Sequence, residues 1–229
     1  MMMVEDLRRM GEPIKRLVED GQVFAVQQDE DGQRVARITL QDEQLCLHPL
    51  LRQPLPAHAH TLQHSDVVNM LDPSSTLAFL DFGWAGSTRG RVTIQLAPDT
   101  LLSRQFVLLC TGQQGPSYHN TRLFRVSRKS RPGEWVEGGD YESNDGLGGA
   151  PLLPDLKGES RGSARAGDVW SRWLDHRSAQ FAITLRDHPG RWSRVFGEVV
   201  SGLDVVRASV NHSDIKEVTV VDCGVVLPL

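Results

Sequence analysis

No CxxC pair, no cysteine–histidine spacing and no apolar run of membrane-spanning length occurs in this 229-residue chain. Its three cysteines, Cys46, Cys110 and Cys223, are an odd count in separate apolar runs. That pattern fits neither a disulfide framework nor a zinc site, so three reduced thiols and a cytoplasmic or nuclear setting are expected. Neither a metal nor a cofactor is expected. Nothing approaches the roughly 18 apolar residues of a membrane helix. The opening MMMVEDLRRMGEP carries no apolar core of signal-peptide length, so neither membrane spanning nor secretion is expected. Strong net charge is missing too. At −4, bulk composition makes no case for nucleic-acid binding.

What is present suffices for a core. The hydrophobic fraction is 39%, and the length allows a domain of about 150 residues with a smaller appendage. Residues 4–20 place Val4, Leu7, Met10, Ile14, Leu17 and Val18 on one helical stripe, with charged residues between. Pro13 opens a second helix or kinks the first. Such a stripe either docks a partner or second copy of the chain, or covers its own domain. Residues 22–47 switch to strand alternation around a hairpin turn at Asp29–Gly32, and QLCLHPL reads as a third strand. Residues 48–64, with three prolines and four histidines, read as a polar linker; His58 and His60 lack clear further metal ligands. Ser65 is expected to cap a short helix ending by Pro73.

From residue 74 the chain becomes a series of short apolar strands with two helices, the arrangement of a closed barrel with capped ends. Both the first and last strands are apolar, which suits them to pair and remove free edges. Charge follows the same division. Residues 1–90 hold 13 acidic and 8 basic side chains, the remainder 16 and 17. Arg122, Arg125, Arg128, Lys129 and Arg131 form a run with no acid between, either solvated or facing an anionic partner.

The later segments resemble the cyclophilin family of peptidyl-prolyl isomerases. GRVTIQLAPDT, QFVLLCTG, LFRV, EGGDYESNDGLGG, AQFAI, VFGEVVSGLDVV and VTVVDCG match its motifs in order. The resemblance implies a mainly β fold: an eight-stranded closed antiparallel barrel capped by two helices, over residues 74–229. Residues 1–73 would then be a helical and β extension.

Turning an X-Pro bond breaks no covalent bond, but it must cross a barrier of roughly 18–20 kcal/mol set by amide resonance. A catalyst needs an apolar pocket for the proline ring and a fixed donor near the prolyl nitrogen, shielded from water. No general base is needed. The resemblance assigns the donor to Arg125 and a peptide-backbone contact to Gln180. It assigns loop shaping to Gly138, Gly139, Gly148 and Gly149.

The departures from the family pattern bear on function. Glu134 and Trp135 stand where an aromatic and a methionine are usual, and Glu137 replaces a glutamine. Its carboxylate can pair with Arg125 and compete with substrate. Ala182 replaces a pocket phenylalanine, at a contact cost of about 1.5–3 kcal/mol for a buried ring. The rim segment is shortened, bringing His188 nearest and displacing Trp192, and Ser193 stands where the family has a histidine. SRKSRPGEW is an insertion beside Arg125 that reads as a projecting turn. RAGDVWSRWLDHRS replaces small residues, so Trp170 and Trp173 either fill the neighbouring side pocket or pack across the barrel. Together these point to a protein-interaction module without efficient isomerase activity, whose partner is a protein, with a proline-containing segment as the candidate contact. The alternatives are a weak or specialised isomerase using Arg125 and Gln180, and, behind it, nucleic-acid association through the arginine-rich loop.

Overall fold

The computed structural model describes every residue except 1, 158, 162, 163, 189, 191 and 192, and for 159–161 the backbone alone. The N-terminal stripe forms two helices, α1 (Val4–Arg9) and α2 (Glu12–Glu19). Met10 between them is left-handed, and Pro13 sits in the first turn of α2, where a missing N–H breaks no helical bond. Leu7 and Val18 are fully buried, with Val4, Met10, Ile14 and Leu17 packed against the same core. The stripe therefore covers its own fold. A hairpin follows, β1 (Val23–Asp29) and β2 (Gly32–Gln41), closing at Asp29 opposite Gly32, and then β3 (Gln44–Leu47).

The linker expected over residues 48–64 is more structured than its composition implied. His48, Leu50, Leu62 and His64 are buried, and β4 (His60–Gln63) pairs in parallel with β1. Prolines break the periodicity that would have shown this strand. The next helix, α3 (His64–Val68), begins one residue before Ser65, so Ser65 is not its cap; its hydroxyl bonds the Asp66 carboxylate instead.

The remaining elements are β5 (Leu77–Trp84), β6 (Ser87–Leu96), α4 (Leu101–Thr111), β7 (Arg125–Ser127), β8 (Trp135–Gly138), β9 (Glu159–Arg161), β10 (Asp168–Ser171), β11 (Phe181–Thr184), β12 (Ser193–Ser201), α5 (Leu203–Val210) and β13 (Thr219–Leu227). Thr100 caps α4 by accepting the Ser103 N–H, and left-handed Gly112 ends it. Phe106 of α4 meets Tyr118, Phe181 and Phe196 at ring-centroid distances of 5.1, 5.9 and 5.4 Å, tying the helix to the sheet.

The expected eight-stranded closed barrel is not formed. The strands follow one open path, β4–β1–β2–β3–β13–β5–β6–β12–β10–β11–β8–β7, with β9 beside β12. The sheet is mixed, since β1 and β4 are parallel. The reason lies on β13. One of its edges pairs with β5 from Thr219 to Val226, so first and last strands do meet. Its other edge is taken by β3 over Val225–Leu227, while the segment before β7 meets it further along, through the Arg122–Thr219 bridge and backbone hydrogen bonds that link Asn120, Thr121 and Leu123 to Val218 and Val220. Through β3 the N-terminal strands continue the sheet beyond β13.

This junction is fastened by polar groups. Buried His48 contacts Asp222 of β13 through Nδ1 at 2.9 Å and Thr39 of β2 through Nε2 at 2.8 Å. Arg37 of β2 reaches the same Asp222 oxygen at 2.8 Å. Burial opposes the Asp222 charge. The His48 bond, the charges of His48 and Arg37, and the Cys223 N–H outweigh it and hold the carboxyl below its ordinary range.

Candidate functional site

Strand register brings the departures from the family pattern together. Arg125 lies opposite Glu137, Glu137 opposite Ala182, Ala182 opposite Trp170, and Trp170 opposite Val195. Directly paired residues share a sheet face, so five strands, β7, β8, β11, β10 and β12, present one cross-strand row. Trp135 lies two residues before Glu137 and points to the same face.

At one end of this row the donor is occupied. Arg125 donates from Nε to Glu137 Oε2 at 2.7 Å, and its Nη2 makes a second bond to the same oxygen. Trp135 Nε1 donates to Glu137 Oε1 at 2.7 Å, and Arg172 Nη1 approaches that oxygen at 3.4 Å. A buried carboxylate is tolerated only with such compensation. Glu137 is buried, whereas the Arg125 side chain remains 45% exposed. The cation thus sits at the mouth and its counter-ion beneath it.

In the middle of the row, the volume freed at Ala182 is filled. Trp135, Trp170, Ala182 and Val195 form a separate buried apolar cluster. The two indoles meet edge to face at 5.7 Å, and Trp170 Nε1 donates to Thr184 Oγ1 at 3.1 Å. With a small side chain at Ala182, the two indoles fill the space on this face.

The glycine-rich loop is organised by a residue that sequence reasoning missed. Asp140 accepts the N–H groups of Glu142 and Ser143 at Oδ1, and those of Asp145, Gly146 and Gly148 at Oδ2, with the Ser143 hydroxyl. Burial opposes its charge, but these donors together hold the carboxyl far below the usual range. An aspartate directly before a cluster of Ser, Asn and Gly was the available signal. Gly139 has φ +88°, and a Cβ there would lie 2.8 Å from Phe181 and 2.9 Å from a carbonyl oxygen, so only glycine fits. A Cβ on Gly138 or Gly148 would lie 2.6 Å from Leu123 or Asp140, and Gly149, with φ +94°, leaves 3.1 Å to Gln180.

Gln180 is in place but committed. Its side-chain amide donates to the carbonyls of Gly146 and Gly148 at 3.0 and 2.7 Å, so both donors serve the loop. Ser193 opens β12 and is buried. His188 is half-buried against the inserted turn: a Cβ on Gly133 would lie 2.3 Å from its ring. Trp192 lies outside the described residues. The insertion projects as expected, with Arg128 and Ser130 left-handed and exposed. Glu134 is fastened beneath it by Arg186 at 2.9 Å.

Arg172 was also missed, because an arginine inside a divergent segment carries no pattern of its own. A second feature not anticipated is a mainly apolar cavity of about 500 Å³ between α3 and α4, lined by Val68, Leu71, Leu96, Val107, Leu108 and Leu153 among others. The three cysteines are buried and free. Burial pushes the thiols of Cys46 and Cys110 up, away from reactive thiolates.

The sequence model of one family, described as cyclophilin type peptidyl-prolyl cis-trans isomerase/CLD, matches residues 80–225. The chain belongs to that family. Among individual proteins it is similar to human E3 SUMO-protein ligase RanBP2, with 27% identity over 165 residues. That match covers 66% of this chain but 5% of the relative. No helix among the described residues is long and apolar enough to cross a membrane.

Proposed function

We propose that this chain is a protein-interaction module built on a cyclophilin-like domain, without efficient isomerase activity. Residues 74–229 form that domain and residues 1–73 its extension. One observation carries the reading: Glu137 holds Arg125 while Trp135 and Trp170 occupy the space beside Ala182. A donor already bonded to a carboxylate is poorly placed to stabilise a turning prolyl nitrogen, and a filled pocket cannot seat the ring. The interaction surface is the rim around Arg125, including His188 of the shortened segment. The N-terminal helices offer a partner only their polar faces, since their apolar stripe is packed inward. Three unpaired buried thiols suit a reducing compartment, cytoplasm or nucleus. The one similar protein named above carries its matching segment within a much longer ligase, consistent with a domain used alongside others.

A second reading, a weak or specialised isomerase, draws on the exposure of Arg125 at the mouth. Proline cis/trans exchange measured by NMR on short X-Pro peptides separates the two. The module reading expects exchange at the uncatalysed rate for both wild type and Arg125→Ala. Acceleration that disappears in Arg125→Ala would establish the isomerase instead.

A further inference from the structure

We propose that the mouth of this site recognises an acidic peptide segment, its carboxylate seated among Arg125, Arg172 and Arg177. The inference rests on the module reading above and names the chemistry of the partner.

Three cations gather there. Arg125 and Arg172, whose side chains are 45% and 39% exposed, both reach buried Glu137 from the solvent side. Arg177 lies over the Trp173 ring at 3.7 Å, with Arg172 over the same ring at 4.8 Å. Against these three, Glu137 is the one carboxylate that their side chains contact among the described residues. Asp175 is turned elsewhere, accepting the Arg177 backbone N–H and lying 3.6 Å from the His176 ring. The Arg177 Nε is buried with no hydrogen-bond partner among the described residues.

Such a surplus is costly unless an anion completes it. Stacking on Trp173 holds two guanidinium groups in place before any ligand arrives, which lowers the ordering cost of binding. Guanidinium groups pair carboxylates in two-pronged geometry, and arginine clusters are a recurrent means of reading acidic motifs. Leu174, 39% exposed beside Trp173, adds an apolar contact for a residue flanking the acid. The patch is small and the whole chain is net −4, which favours one or two carboxylates on a peptide over a polyanion such as RNA.

The test is calorimetric titration of the full chain with a short glutamate–leucine peptide and with its glutamine–leucine counterpart, at low and high salt. The glutamate peptide is expected to bind at least about tenfold more tightly, with the difference shrinking in salt. The Arg172→Gln/Arg177→Gln double variant should lose the preference while keeping the wild-type circular dichroism spectrum. Equal affinity for the two peptides, no binding of either, or a salt-insensitive preference overturns the proposal on wild-type protein alone. Tighter binding of a single-stranded oligonucleotide, abolished by the same double variant, also overturns it. Equal binding of both peptides would leave the module reading standing; only accelerated proline exchange removes that reading.

Discussion

Arg125 and Glu137 face each other across adjacent strands, and the arginine gives two hydrogen bonds to one oxygen of a buried carboxylate. The other oxygen is held by Trp135 and approached by Arg172. Replacing Glu137 with glutamine keeps the shape but removes the charge that compensates two cations. Glu137→Gln should therefore lower stability by about 1–3 kcal/mol, read as a lower urea midpoint with unchanged slope. An unchanged midpoint would mean that the pair is too well solvated to matter. The same variant frees the Arg125 donor but leaves the tryptophans in place, so proline exchange should stay at the uncatalysed rate.

Trp170 is the counterpart of the missing ring at Ala182. The two residues pair directly, and Trp135 packs edge to face on the indole. Trp170→Ala should cost about 3–5 kcal/mol, because the rigid strands around it cannot collapse into the space. Adding Ala182→Phe should recover part of that loss by refilling the volume from the opposite strand. A midpoint for the double variant no higher than that of Trp170→Ala would show that the cavity is not shared.

The elements near this site were legible because their signals are local. Gly112 ends a helix, Asp29–Gly32 turns a hairpin, and the pairing of Glu137 with Arg125 followed from residue chemistry alone. Three things were not legible. β4 was hidden among prolines and histidines, since a four-residue parallel strand needs only a neighbouring edge and little pattern of its own. The open sheet depended on how β13 shares its second edge between β3 and the segment before β7, a pairing of distant segments that no local period records. The loading of Glu137 by Arg172 depended on the path of a divergent loop. Trp170 stood between these cases: its two possible destinations were apparent, but only the register of β10 against β11 chose between them.

Asp222 fastens the N-terminal strands to β13 through His48 and Arg37. Its folded pKa is depressed, so its contribution is fully present above the ordinary carboxylate value, near 4, and is lost as pH falls through the folded value. Asp222→Asn should cost about 1–2 kcal/mol at neutral pH and show a flatter loss of stability below pH 4 than wild type. Urea midpoints at neutral pH and near pH 3 would check this. Identical acid limbs in the two proteins would mean that other carboxylates carry the effect.

His64 acts in a different pH window, with the opposite sign of shift. Its side chain is buried at the start of α3, and neither ring nitrogen has a hydrogen-bond partner among the described residues. Burial, with a smaller contribution from the Arg34 charge, lowers its pKa from 6.5 to about 4. Below pH 6.5 the unfolded chain binds a proton that the folded chain refuses, so stability falls as pH drops from 6.5 toward 4. A shift of that size corresponds to at most about 3 kcal/mol. His64→Leu removes both the unpaired nitrogens and the titration. The variant should match or exceed wild-type stability at pH 7, and its urea midpoint should change less between pH 6.5 and 4. His119, whose pKa is also lowered by burial, remains in the variant and keeps the slope from vanishing. Equal slopes for wild type and variant across that window would show that His64 takes up its proton without unfolding cost, and so reaches water or a partner in the folded state.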